Sequence, residues 1–271
     1  MTDSPAGILV VGAGAAGLAT AIFARRANPA RPVTLLDSAR TPGAKILVSG
    51  GSRCNVTNRV VSETDFWGGR RPLIRRVLRA FPADDAVRFF RDLNVPLHEE
   101  ADGKLFPDSN RSRDVLDALL KAADAEGARL IAGCRVAGVE SSAGGFRVTT
   151  ALGEMECRQV VLATGGQSLP KSGSDGAGFG IARRLGHAIV PTTPALAPLV
   201  LDAGAGTGMH RALSGVAHDV ELSVWVDGRV STRLRGAMLW THVGVSGPVA
   251  LNASRHWLRS EEHTSELQSQ R

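Results

Sequence analysis

Residues 7–17 read GILVVGAGAAG. Ile8 to Val11 form a continuous apolar, largely β-branched run, as a parallel strand buried on both faces requires. Gly12, Gly14 and Gly17 follow at GxGxxG spacing, and LATAIFARRA behind them has helical periodicity. The order is strand, tight turn, helix N-terminus. Gly12 permits the turn, Gly14 lets backbone approach a pyrophosphate, and Gly17 lets helix and strand pack closely. The spacing alone is a weak signal. Here a second strand, VTLLD (33–37), ends in Asp37, 20 residues after Gly17. That is where an acid binds ribose hydroxyls. An acid rather than a basic residue points to an unphosphorylated adenosine ribose, so to NAD or FAD in this site.

The stretch GAKILVSGGSRCNVTN (43–58) favours FAD. A plain NAD-binding unit leads from its second strand into a crossover helix. Here a polar, glycine-rich loop is expected, along which an extended FAD lies. Gly50 and Gly51 allow close backbone approach, while Ser49, Arg53, Asn55 and Asn58 offer hydrogen bonds. Downstream, QVVLATGGQS (159–168) reads as a buried strand running into Thr164, Gly165 and Gly166, a second FAD contact beside the first strand. SDGAGFG then enters a helix. Its Gly176, Gly178 and Gly180 suit either a phosphate or ring contact or a flexible connection.

These segments, with KLFPDSNRSRDVLDALL (104–120) and THVGVSGPVAL (241–251), resemble a bacterial family of NAD(P)/FAD-dependent oxidoreductases. That family includes aminoacetone-oxidase-like proteins and a bile-acid enone reductase. The resemblance runs from about Ile8 to Leu258. It implies an α/β fold, a Rossmann-like FAD-binding domain of the two-dinucleotide type carrying an inserted second domain with β-strands. It also implies reduction of an activated double bond in a small molecule, with NAD(P)H as a transient donor. Amine oxidation is the alternative, and an RNA-modifying flavoprotein is another. More distantly, the ATGG and SDGAGFG segments resemble the flavin domain of fumarate reductases.

Flavin carries the redox step, so the protein supplies orientation and electrostatics. Lys45 and Arg53 are the candidate cations, each with contact to FAD phosphate or a loop carbonyl as the plainer role. His242 is a candidate acid or base, because histidine moves protons near neutral pH. Cys54 lacks a CxxC partner and reads as a packed thiol.

Composition bounds the rest. Hydrophobic residues make up 43% of the 271 positions, as in soluble globular chains. No apolar run approaches the roughly 20 residues of a membrane helix. The three cysteines form neither a disulfide framework nor a metal pattern, so a cytoplasmic, metal-free protein is expected. The net charge is +6, and of 32 basic residues only Lys45, Lys104, Lys121 and Lys171 are lysine. Arg70, Arg71, Arg75, Arg76 and Arg79 form the densest cluster. No aromatic residue interleaves with them, so nucleic acid is not an expected partner. The sequence is silent on oligomeric state.

Two helices divided at Pro82 are expected over 72–93, a hairpin at Asp102-Gly103, and a helix over 112–126 capped by Ser112. The short strands ARLIAG, RVAGVES, FRVTTA and EMECR then read as a meander between the FAD-contact strands. PTTPALAPL (191–199) marks a boundary. The expected organisation is an FAD-binding domain over 1–190, interrupted at about 60–160, and a partial substrate-side domain over 191–258. That second part opens with a hairpin at Asp227-Gly228, and Ser246 caps its helix. Residues 259–271 fit neither part and resemble a translated sequencing adapter, so a non-native tail is expected there, with family members continuing past this point.

Overall fold

A computed structural model describes residues 6–67, 69–201 and 208–269. The chain divides into two compact units on either side of the Ile189–Val190 junction. The first contains β1 (Ala6–Val11), α1 (Ala15–Ala27), β2 (Val33–Leu36), α2 (Ala44–Ser52), β3 (Thr57–Asn58), α3 (Arg71–Ala80), α4 (Ala83–Asp92), β4 (Leu97–Glu99) and β5 (Lys104–Pro107). It continues with α5 (Ser112–Ala125), β6 (Arg129–Ile131), β7 (Val136–Ser142), β8 (Gly145–Thr150), β9 (Gly153–Leu162) and α6 (Ala177–Arg184). The second holds β10 (Leu199–Val200), α7 (Met209–Ala212), β11 (Ala217–Val226), β12 (Arg229–Thr241), β13 (Gly244–Ser246) and α8 (Gly247–Ser269).

The main sheet has the order β6-β2-β1-β9-β8-β7. Its first four strands are mutually parallel, and β9, β8 and β7 form an antiparallel meander. The continuous apolar character of β1 now has its cause. Ile8 and Val10 enter a core with Leu18, Ile22 and Leu35 and with Leu116 and Leu119 of α5. Leu9 and Val11 enter a second core with Leu36, Val139, Val148 and Ile181. Each such fully buried side chain contributes about 1.5–3 kcal/mol. A smaller sheet, β3-β5-β4, stands apart from the main one. Pro82 separates α3 from α4, as expected.

Four local expectations are corrected. The segment ARLIAG is not part of the meander: β6 pairs parallel with β2, Leu35 opposite Leu130. Helix α5 returns the chain there as a crossover. EMECR and QVVL are one ten-residue strand, β9, whose early half pairs β8 and whose later half pairs β1. The stretch after Gly43 is not a loop but α2, with non-helical backbone at Ser49, Gly50 and Gly51. Ser112 does not cap α5, because Arg111 occupies that position; its hydroxyl instead donates to the Leu47 carbonyl at 2.9 Å, tying α5 to α2.

In the second unit the sheet order is β10-β13-β12-β11. The β11–β12 turn is Asp227-Gly228, both at positive φ (50° and 74°), the backbone that a two-residue turn between twisted strands needs. Helix α8 begins at Gly247, directly after Ser246, with Pro248 in its first turn. It closes a small core of Met238, Val245, Val249 and Ala250. The segment expected to be a non-native tail continues α8 as far as Ser269, and its last two residues lie outside the described residues.

Candidate functional site

The three glycines of the first turn have three different steric reasons. A Cβ on Gly17 would lie 1.8 Å from the Gly12 carbonyl oxygen, and one on Gly12 (φ 104°) would lie 2.5 Å from that of Ala163. A Cβ on Gly14 would meet nothing within 4 Å. Gly12 and Gly17 therefore close the turn, and Gly14 leaves space in front of it. Gly14 is also the N-cap of α1 and supplies no side-chain cap, and the first helical turn contains no acid. The first amides of a helix have no intrahelical acceptor and carry the positive end of its dipole. An uncapped N-terminus facing open space suits an anion.

That space is a cavity of about 630 Å³ in the first unit, within the range of small-molecule sites. Gly12, Gly14, Ala15 and Ala16 border it, as do Asp37, Lys45, Ser49, Asn55, Thr164 and Gly165. Asp37 is fixed on both oxygens: the Ala13 amide donates to Oδ2 at 2.7 Å and the Ala39 amide to Oδ1 at 2.8 Å. The acid thus holds the glycine turn to the end of β2, and each oxygen keeps a further lone pair for a ligand hydroxyl. Lys45 Nζ donates to the Ser168 hydroxyl. Ser49 Oγ donates to the Ile46 carbonyl at 2.7 Å. The Asn55 carboxamide, with its NH₂ toward the carbonyls, donates to Thr57 O at 2.7 Å and Leu105 O at 3.1 Å, and so staples β3 to β5.

Gly17, Gly50, Gly51, Arg53, Asn58, Gly166 and His242 do not border the cavity. Gly50 and Gly51 (φ 54° and 67°) serve the backbone kink that ends α2. Arg53 is turned to the small sheet. Its Nη1 donates to Glu100 at 2.5 Å and to Asn110 at 3.4 Å, and its guanidinium lies 4.2 Å from the centre of the Phe106 ring. The arginine holds the Glu100 carboxyl below the usual carboxylate range, with a smaller contribution from His98. His98 itself lies 3.4 Å from both Glu100 and Asp108. His242 is exposed in the turn between β12 and β13 of the second unit. Cys54 does border the cavity, and burial pushes its thiol up, opposed by the Ser49 hydroxyl. It is therefore a neutral thiol near pH 7.

Sequence reasoning missed Cys134, Arg135, Val136 and Asp175, all of which border the cavity. The first three follow β6, and the Cys134 amide donates to the Asp37 carbonyl at 2.8 Å. Arg135 pairs with Asp175 at 2.6 Å, which lowers the Asp175 carboxyl, helped by the Ala177 amide. The glycines near Asp175 are packing residues rather than a flexible connection at two positions. A Cβ on Gly178 would lie 2.0 Å from Thr164 Oγ1, and one on Gly176 2.5 Å from the Gln167 amide nitrogen. Among the described residues no group of His, Cys, Asp and Glu could hold a metal ion, and no helix is long and apolar enough to cross a membrane.

The cavity fits a dinucleotide on its own terms: an uncapped helix N-terminus beside a Cβ-free position, an acid one strand away, and a polar extension at Lys45, Ser49 and Asn55. A family model described as the HI0933-like protein Rossmann domain matches residues 6–252. The 3-dehydro-bile acid delta(4,6)-reductase of Clostridium scindens is 30% identical over 91% of this chain and 59% of its own length. The ribosomal RNA dihydrouridine synthase of Escherichia coli is 30% identical over 93% of this chain and 61% of its own. The chain thus spans about three fifths of these relatives. Among solved structures, the Escherichia coli quinol fumarate reductase FrdA matches with a TM-score of 0.54 and 19% identity, over 81% of this chain and 44% of that one. This last likeness concerns the fold.

Proposed function

The chain belongs to the HI0933-like Rossmann-domain family of flavoprotein oxidoreductases, and from that premise we propose that its protein reduces a carbon–carbon double bond conjugated to a carbonyl, with FAD as cofactor and NAD(P)H as electron donor. The observation that carries the reading is the cavity that joins the uncapped α1 N-terminus to Asp37 and Lys45. The names of the two relatives support the reaction class. A delta(4,6)-reductase of a 3-dehydro-bile acid and a dihydrouridine synthase both saturate a double bond in conjugation with a carbonyl.

We assign residues 1–190 to FAD binding and 191–258 to part of a substrate-side domain. FAD, when bound, supplies hydride transfer that side chains cannot perform. The amides at Gly14, Ala15 and Ala16 would hold its pyrophosphate, and Asp37 would accept from ribose hydroxyls. Lys45 places a positive charge at the cavity, which would favour an anionic group of the bound cofactor there. Arg53 is a positioning residue, bracing the small sheet to which the Asn55 carboxamide hydrogen-bonds. His242 is the candidate proton donor from the substrate-side part.

The test is an anaerobic spectrum of the protein reconstituted with FAD. Flavin bands that bleach with NADPH or NADH, then return on addition of a conjugated enone, are the expected result. Bands that bleach but return only with dioxygen and an amine would overturn it in favour of amine oxidation. A folded protein that retains no flavin would sink the FAD assignment.

A further inference from the structure

Residues 60–81 gather exposed apolar side chains and arginines in one place. Val60, Phe66, Trp67, Leu73, Val77 and Phe81 are 42–77% exposed. Arg70, Arg71, Arg75, Arg76 and Arg79 lie among them, all exposed. The period of α3 sorts the two kinds. Arg71, Arg75, Arg79 and Arg76 span one arc of roughly 140°, and Leu73, Val77, Ile74 and Leu78 span the opposite arc. Ile74 and Leu78 are half-buried, whereas Leu73 and Val77, one turn apart, are 60% and 62% exposed. Arg76 borders that exposed stripe, and Arg70 stands at the N-cap. Phe66 and Trp67 precede the helix, after the short helical turn Glu63–Asp65 that packs on α3. Glu63 accepts from Arg75 at 2.8 Å. Among the described residues no carboxylate lies in ion-pair range of Arg70, Arg76 or Arg79.

We propose that α3, with Phe66 and Trp67, is a docking surface for an anionic membrane, on which the helix lies in the plane of the headgroups. A cluster of large exposed apolar side chains marks an interaction surface. Here the apolar stripe and the uncompensated charge share one element, so the partner is apolar and anionic at once. A nucleic acid offers phosphate but no apolar slab. A bilayer with anionic lipid offers both: acyl chains take Leu73 and Val77, and headgroup phosphates take the guanidinium forks. Tryptophan at the edge of such a stripe suits the headgroup level, where one side of its ring is wet. The helix is about 10–12 Å across, so even its far arginines lie within about two Debye lengths of the surface charge. Ten residues do not anchor a chain for good. The attachment is reversible and needs both the apolar contact and the charge. It adds to the reductase reading without depending on it.

The experiment is co-sedimentation of the full chain with equimolar phosphatidylserine–phosphatidylcholine vesicles and with pure phosphatidylcholine vesicles. Heparin serves as a polyanion without acyl chains. The parent sediments with the anionic vesicles only, and less so as salt rises. Arg70→Gln/Arg76→Gln lowers its partition by about 25-fold, given roughly 1 kcal/mol per basic residue at an anionic surface. The charge-matched control Arg113→Gln/Arg158→Gln stays close to the parent. Leu73→Ser/Val77→Ser changes side chains that are already exposed, so the fold is kept, and lowers partition by about tenfold. Bromine-labelled acyl chains quench the parent's emission, and Trp67→Phe removes most of that quenching. Sedimentation with neither vesicle overturns the proposal, as does partition of both α3 variants equal to the parent's. Binding without quenching overturns the placement among the headgroups. Heparin binding without vesicle binding assigns the surface to a polyanion instead. Lipid-free self-association that Leu73→Ser/Val77→Ser abolishes, with no vesicle binding, assigns the stripe to a second copy and overturns it equally.

Discussion

Two glycine-rich turns of the first unit look alike as text and differ as structures. In GAGAAG (12–17) only Gly12 has positive φ, and each glycine answers to a neighbouring atom or to its absence. In GGSRC (50–54) four of the five residues are left-handed, and two of them, Ser52 (φ 68°) and Cys54 (φ 65°), are not glycine. The first turn opens backbone toward a ligand. The second bends the chain so that Cys54 and Asn55 reach the cavity while Arg53 turns away to Phe106. Glycine content marks both equally; what each glycine faces tells them apart.

The widest separation comes from the first turn. Gly17→Ala should cost about 3 kcal/mol or more, since a backbone carbonyl cannot yield to a Cβ 1.8 Å away. Gly14→Ala should leave the melting temperature nearly unchanged, yet weaken FAD retention, read as the flavin-to-protein absorbance ratio. Equal melting losses in the two variants would erase the distinction between closing the turn and clearing the space before it.

The second turn gives smaller effects. Gly50→Ala brings strain at φ 54° and a Cβ 2.7 Å from the Asn55 amide, so about 2 kcal/mol is expected. Gly51→Ala has open space and costs about 1 kcal/mol from the left-handed backbone alone. Ser52→Gly should stabilise by up to about 1 kcal/mol, because the strain it relieves exceeds the entropy that glycine adds to the unfolded chain. Urea midpoints at constant m-value measure all three. A destabilised Ser52→Gly would show that the hydroxyl, not the backbone, governs this position.

The smallest effect concerns the Arg53–Glu100 pair. Glu100 is held below its ordinary value of 4.5 by Arg53 first. A depressed carboxylate contributes stability above that ordinary value, which is lost as pH falls through the folded-state value. Arg53→Gln should therefore lower the melting temperature slightly at neutral pH and converge with the parent in acid. A difference that persists unchanged in acid would assign the role of Arg53 to its stacking on Phe106.

The strand, turn, helix and acid from Ile8 to Asp37 were legible because each step carries its own residue signal. β9 beside β1 was legible for the same reason: Val160 to Leu162 are apolar without interruption, as a strand between two others must be. β6 was not. It is three residues long, and two of them, Arg129 and Leu130, are exposed, so it lacks the double burial that announces a parallel strand. Missing it meant missing Cys134, Arg135 and Val136, whose place at the cavity follows only once β6 lies against β2. The surroundings of Arg53 were hidden for the opposite reason. Its position in a polar stretch suggested a ligand, while its partners Glu100 and Phe106 sit some fifty residues away and leave no local mark.

β1 hydrogen-bonds to β9 across about 150 residues of chain, and Gly12 closes against Ala163. During synthesis the fingerprint therefore emerges long before the strand that completes it. Loop-closure entropy over that distance makes the parallel pairing a late event. The hairpins β4–β5 and β7–β8 and the helices α3 to α5 can form while β1 still has one edge open. Until Ala163 has left the ribosome, the nascent chain carries an unpaired apolar strand edge, exposed to chaperones and to neighbouring chains.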